Sequence, residues 1–118
     1  MLIGAYEGEV LRFEVVESAG GFLVRSRDVA TGAVEGMDAI VFRTATVAFR
    51  FAELAAAVDR LNEAQESGAD VEAALAELAH QQALYRATSH ALNDAGDAAS
   101  ARISWEREEE SRRRRRLH

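Results

Sequence analysis

Residues 9–29 read EVLRFEVVESAGGFLVRSRDV, and this stretch decides the fold. From Glu9 to Glu17 the side chains alternate, with Leu11, Phe13 and Val15 on one face and Val10, Arg12, Glu14 and Val16 on the other. A period of two is the geometry of a strand with one buried face. Ser18-Ala19-Gly20-Gly21 supplies a turn whose paired glycines can take positive φ, and Phe22 to Val29 returns as a second strand. An antiparallel hairpin is therefore the nucleus from which the rest of the chain is read.

Downstream, Thr31-Gly32 marks another turn, a short strand is expected over Ala33 to Met37, and residues 38–44 (DAIVFRT) read as a third main strand. Val47, Phe49 and Phe51 still alternate, but from Phe51 to Gln65 the spacing is helical, so the switch is placed near Arg50. Leu54, Val58, Leu61 and Gln65 recur at steps of four, three and four, with Ala57 and Ala64 alongside, as one apolar stripe. Gly68 is the expected C-terminal cap. Asp70 is the expected N-cap of a second helix, with Glu72 in the first turn where the macrodipole favours an acid. Its seam is Val71, Leu75, Leu78, Gln82, Tyr85, Ser89 and Leu92, a heptad-like alternation in which the polar Gln82 and Ser89 would fix register against a partner helix. Residues 93–96 (NDAG) carry breakers. The alternative is one continuous helix to residue 116, because Ala99 and Ile103 extend the seam.

The expected fold is α+β: an antiparallel sheet of three or four strands covered by a helix, then a helical hairpin or long helix, then a charged C-terminal helix or tail. Residues 1–67 form the sheet-plus-helix core, 69–96 an amphipathic helix for hairpin or dimer packing, and 97–118 the charged tail. The 118 residues fit one domain. Of the apolar side chains larger than alanine, 24 fall in residues 1–67 and nine in residues 69–118, so the second half needs something to lean on.

Absent residue types remove chemistries. Without cysteine there is no disulfide, thiolate nucleophile or zinc knuckle, and without lysine no Schiff base or Walker-type phosphate loop. No cofactor is implied. Met1-Leu2-Ile3-Gly4 lacks the basic flank and long apolar run of a signal peptide or membrane span, so a cytoplasmic protein is expected. The net charge of −6 divides into −2 over residues 1–50, −7 over residues 51–97 and +3 over residues 98–118. Phosphates would be repelled by the middle segment, so any nucleic-acid contact must use the sheet or the tail.

Two basic groups are candidates for that contact. Arg112, Arg113, Arg114, Arg115 and Arg116 could bind phosphate in a salt-sensitive manner, although Glu108, Glu109 and Glu110 sit one helical turn earlier and can pair with three of them. On the sheet, Arg12, Arg25 and Arg27 share the outer face, joined by Arg43 if the third strand buries Ile40 and Phe42. Against this, single-strand binders stack bases on exposed aromatics, whereas Phe13, Phe22 and Phe42 alternate to the opposite side. Glu77 and His80 match the Glu-x-x-His of di-iron bundles, but both flank the outer side of the seam, and no metal is expected. No nucleophile elbow, His-Glu-x-x-His or Gly-x-Gly-x-x-Gly occurs, so no catalytic residues are assigned. The leading expectation is a small non-enzymatic interaction or regulatory protein. It would be homodimeric through Leu75, Leu78, Gln82, Tyr85 and Leu92, with Trp105 as a further anchor on the protein itself or on a partner. A nucleic-acid-binding module is the competing expectation.

Overall fold

The alternation over residues 11–18 and 21–28 is realised as two full strands, and the flanking chain adds one strand to each edge. The computed structural model describes residues 1–38 and 40–96. Strands β1 (Leu2–Glu7), β2 (Leu11–Ser18), β3 (Gly21–Asp28) and β4 (Val34–Met37) form one antiparallel sheet in the order β1-β2-β3-β4, followed by helices α1 (Ala45–Ser67) and α2 (Val71–Ala91). The protein is α+β, with the helices forming a hairpin. Between β2 and β3 the register runs without a slip, pairing Val15 with Val24 and Val16 with Leu23. At the turn, positive φ falls on Gly21, where a Cβ would also collide with the Phe42 carbonyl oxygen.

Four strands form, but they are not the four expected. The N-terminal strand β1 was not anticipated. It lies against β2 with an irregularity between Leu2 and Gly4, and Glu17 and Met1 exchange backbone bonds of 2.8 Å beyond its end. Conversely, the third main strand expected over residues 38–44 is reduced to a bridge in which Phe22 and Phe42 exchange two 2.8 Å backbone bonds. Register explains the loss. The Asp38 N–H still bonds to the Val24 carbonyl, so two steps along β3, from 22 to 24, are matched by four along the edge segment, from 38 to 42. A slip of that size ends a ladder.

Helix α1 also begins earlier than the expected switch near Arg50. Thr44 is its N-cap, with extended backbone and a hydroxyl that accepts the Val47 N–H at 3.4 Å. The alternation of Val47, Phe49 and Phe51 misleads because this turn is covered on several sides. Val47 is buried with Phe42, the Phe49 ring stands edge-on to Tyr6 of β1, and Phe51 meets Phe42 and Tyr85. Gly68 caps the helix in the left-handed region, its N–H bonded to the Ala64 carbonyl. Asp70 precedes α2, but its side chain makes no capping bond. Its φ of 53° serves the tight turn instead, a conformation that aspartate tolerates better than most residues.

Alanine sets the spacing of the layers. Ala48 and Ala52 are fully buried against Val15 and Val24, bringing α1 close to the sheet. Helix α2 packs on α1 rather than on the strands. Two buried carboxylates fix α1 at both ends. Asp59 Oδ2 accepts the N–H groups of Glu9, Val10 and Leu11 at 2.8, 2.9 and 3.1 Å, satisfying the β1–β2 turn from within the helix. Gly8 is required there, because a Cβ would collide with that carboxylate. Asp94 Oδ2 accepts the N–H groups of Arg43 and Thr44 at 2.9 and 3.0 Å and the Thr44 hydroxyl at 3.0 Å, so the chain following α2 is tied to the start of α1.

Burial alone would raise the Asp94 pKa. The hydrogen bonds from Thr44, Arg43 and Gly96 outweigh it and hold the group below its ordinary 3.8. Since the folded state binds this proton less readily than the unfolded state, the stabilisation is complete above the ordinary value and lost as pH falls through the lower folded value. Asp94→Asn is expected to cost about 2 kcal/mol at pH 7 in urea denaturation, with the gap to wild type closing below the ordinary carboxylate range.

Candidate interaction surfaces

Helix α2 contributes both the buried seam of the hairpin and an apolar flank beside it. Val71, Leu78 and Tyr85 point inward as expected, but the buried column continues through Ala74, Gln81 and Thr88 rather than through Leu75, Gln82 and Leu92. Gln81, not Gln82, is the buried polar residue, its amide donating to Glu53 at 3.1 Å. Leu84, absent from the expected seam, is half-buried. Leu75 and Leu92 remain 48% and 44% exposed, and Val58 of α1 is 40% exposed.

The flank can be traced from contacts and helical spacing. On one side of the hairpin, Arg60 binds Glu77 and Gln81 meets Glu53. On the other side, Phe51 meets Tyr85 with ring centroids 5.8 Å apart. Leu54 and Val58 follow Phe51 at helical intervals, and Gln82, Leu78 and Leu75 precede Tyr85 at helical intervals, so all five share the Phe51–Tyr85 side. Both apolar stripes of the sequence thus meet on one flank. None of the stripe positions 54, 58, 61, 65, 71, 75, 78, 82 and 85 carries a charge, although residues 51–97 hold a net −7.

Tyr85 is less available than its neighbours on that stripe. Its ring packs edge-on to Phe42 and Phe51, and burial, followed by the carboxylates of Asp94 and Asp38, pushes its hydroxyl above the ordinary 10.0. It acts as core and stays protonated.

The outer face of the sheet gathers three of the four expected arginines. Register and alternation put Arg12, Arg25 and Arg27 on the face opposite Val15 and Val24, surrounding the buried Glu14. Glu14 Oε1 accepts from Arg25 Nε at 2.9 Å and Arg27 Nε at 3.1 Å, and Arg12 lies 3.9 Å away. Burial tends to raise the Glu14 pKa, yet the bonds and charges of Arg25 and Arg27 win and set it below the ordinary 4.5. These guanidinium groups hold an internal carboxylate. Arg43 does not join them, because it follows the bridge rather than lying in a strand and its side chain bonds to the Asn93 carbonyl. Trp105 and Arg112, Arg113, Arg114, Arg115 and Arg116 lie outside the described residues, as does the expected tail helix. Helix α2 ends at Ala91, so a single continuous helix from residue 70 to 116 is not formed.

Glu77 is taken up by Arg60, and His80 and His90 are exposed. Among the described residues no group of three His, Cys, Asp or Glu is placed to hold a metal ion, and no helix is long and apolar enough to cross a membrane. A cleft of about 460 Å³ at the closed end of the hairpin is lined by Glu9, Arg60, Glu63, Asp70 and Glu77, with no histidine among its lining residues.

The arginine cluster makes a stability prediction. Glu14→Ala leaves Arg25 and Arg27 half-buried without their carboxylate and should cost about 2–3 kcal/mol, discounted because the guanidinium groups keep some contact with water. Glu14→Leu combined with Arg25→Leu should recover most of that loss in chemical denaturation. Comparison of the chain with protein-family models, curated proteins and solved structures finds no match.

Proposed function

We propose that the protein is a small, non-enzymatic interaction or regulatory protein that works as a homodimer, two copies meeting along the uncharged flank of the helical hairpin. The observation that carries this reading is the coincidence of exposure and neutrality. Val58 and Leu75 stand exposed on a stripe without charge, in a segment whose other surfaces are strongly acidic. An isologous interface places the same patch on both partners, so an acidic face would repel its own copy whereas this flank would not. Antiparallel packing of two hairpins gives a four-helix arrangement, the usual way for paired amphipathic helices to bury such stripes.

A nucleic-acid-binding role would rest chiefly on Arg112–Arg116, with Arg12 as the sheet arginine least engaged by Glu14. Arg25 and Arg27 are committed to Glu14, and Phe13 and Phe22 pack on the helix side of the sheet.

Sedimentation equilibrium tests the proposal. Wild type is expected to be dimeric at micromolar concentration. Leu75→Asp and Val58→Asp, at exposed positions where a charge should not disturb the monomer, should each weaken association by at least about tenfold, roughly 1.4 kcal/mol, with circular dichroism unchanged. A monomeric wild type would contradict the reading, as would variants that associate as tightly as wild type.

A further inference from the structure

The β1–β2 turn aims three consecutive backbone N–H groups at a single point. Those of Glu9, Val10 and Leu11 reach Asp59 Oδ2 at 2.8, 2.9 and 3.1 Å, across 48 to 50 residues of chain. Successive N–H groups that converge in this way make a concave site for an anion, since each carries partial positive charge and all are fixed by the backbone. Gly8 completes the hollow, because a Cβ there would collide with the same oxygen. The carbonyl side of the turn is held by other groups. The Gly8 N–H bonds to the Leu11 carbonyl at 2.8 Å, the Arg60 guanidinium donates to the Glu7 carbonyl at 2.7 Å, and the Val29 N–H bonds to the Val10 carbonyl at 3.0 Å. On either side β1 and β2 pair, with Glu7 opposite Arg12. These bonds fix the turn without the Asp59 side chain and leave its N–H side for that carboxylate.

We propose that this turn is a preformed carboxylate-binding site, which the protein fills with its own Asp59 and which takes a free small carboxylate when that side chain is cut back. The donor set fixes the ligand class. Three N–H groups around one oxygen select an anion, and a hollow closed by Gly8 admits one oxygen rather than a bulky group. A planar carboxylate meets both conditions, with one oxygen inward and the other toward water. Among the described residues Asp59 Oδ1 accepts no hydrogen bond, and it is not shut off from solvent, so an entry path exists on that side.

Tethering decides which carboxylate occupies the site. Asp59 is supplied by a helix already packed on the sheet, so its effective concentration exceeds that of any free anion. Repulsion adds to this. Glu9 and Arg60 share the neighbouring cleft with Glu63, Asp70 and Glu77, and the four acids outnumber the one arginine. A free carboxylate therefore enters only when Asp59 is shortened and the anion is abundant. This inference stands independently of the dimer reading, which uses neither Asp59 nor the turn.

Chemical rescue of the full chain tests it. Asp59→Ala leaves the space of a formate ion and Asp59→Gly that of an acetate ion. Against chloride at equal ionic strength, formate should lower the unfolding constant of Asp59→Ala by about tenfold at roughly ten times its dissociation constant. It should also shift the amide resonances of Glu9, Val10 and Leu11 along one saturation curve. Acetate should act in the same way on Asp59→Gly, and wild type should respond to neither anion beyond the effect of chloride. Gly8→Ala added to Asp59→Ala should abolish the response, because the new methyl group fills the hollow. If Asp59→Ala does not fold in chloride, recovery of the native circular dichroism spectrum in formate is the expected result. Equal effects of formate and chloride on stability or refolding would overturn the proposal, as would a response that survives Gly8→Ala. Either result would mean that the turn takes its shape from Asp59 and is no site without it.

Discussion

Everything in this structure is referred to α1, and α1 is held by two buried carboxylates that accept backbone N–H groups. Asp59 receives three from the β1–β2 turn, while Asp94 receives those of Arg43 and Thr44 as the helix begins. Each acid replaces water for donors that would otherwise be costly to bury. Their placement fixes the helix against the sheet at one end and fastens the close of the α1–α2 hairpin at the other. Alanine then allows close approach. Ala48, Ala52, Ala56 and Ala57 are buried on α1, so a chain with few large side chains in its second half can still form a continuous interior.

The same economy shapes the surface. A hairpin whose interior is built largely from alanine leaves Leu75 and Val58 exposed beside the seam rather than in it. On the proposed reading, the neutral stripe and its acidic surroundings together define one self-complementary route. On the sheet, Glu14 similarly turns a cluster of arginines inward and makes it part of the architecture.

Particular residues show how far the sequence could be read. The β2–β3 hairpin was legible because a regular antiparallel ladder keeps its period of two, from Leu11 through Asp28. The hairpin of helices was legible from Gly68 and the two stripes. Strand β1 was hidden because Gly4 interrupts its pattern, and the reason for that glycine, the Phe49 ring occupying the space of a side chain, exists only in three dimensions. The edge at 38–44 misled because its alternation is local while its ladder fails through a slip in register. On α2, spacing picked out the stripe of Leu75, Leu78 and Tyr85, but could not divide it into a buried column and an exposed flank. That division depends on the partner helix. Glu53, Gln81 and Arg60 decide it, and none was singled out in the sequence; a buried glutamine next to an expected one gives no signal until its neighbour is known.

The central claim is that copies of this chain meet along the uncharged flank, and the absence of cysteine makes it directly measurable. Single cysteines introduced at Leu75 and, as a control, at His80, which is exposed on a different side of α2, would be oxidised under mild conditions and the products separated by size. The account predicts rapid formation of a covalent dimer through the flank position and little through the control. Equal yields from the two positions, or none from Leu75→Cys, would contradict it.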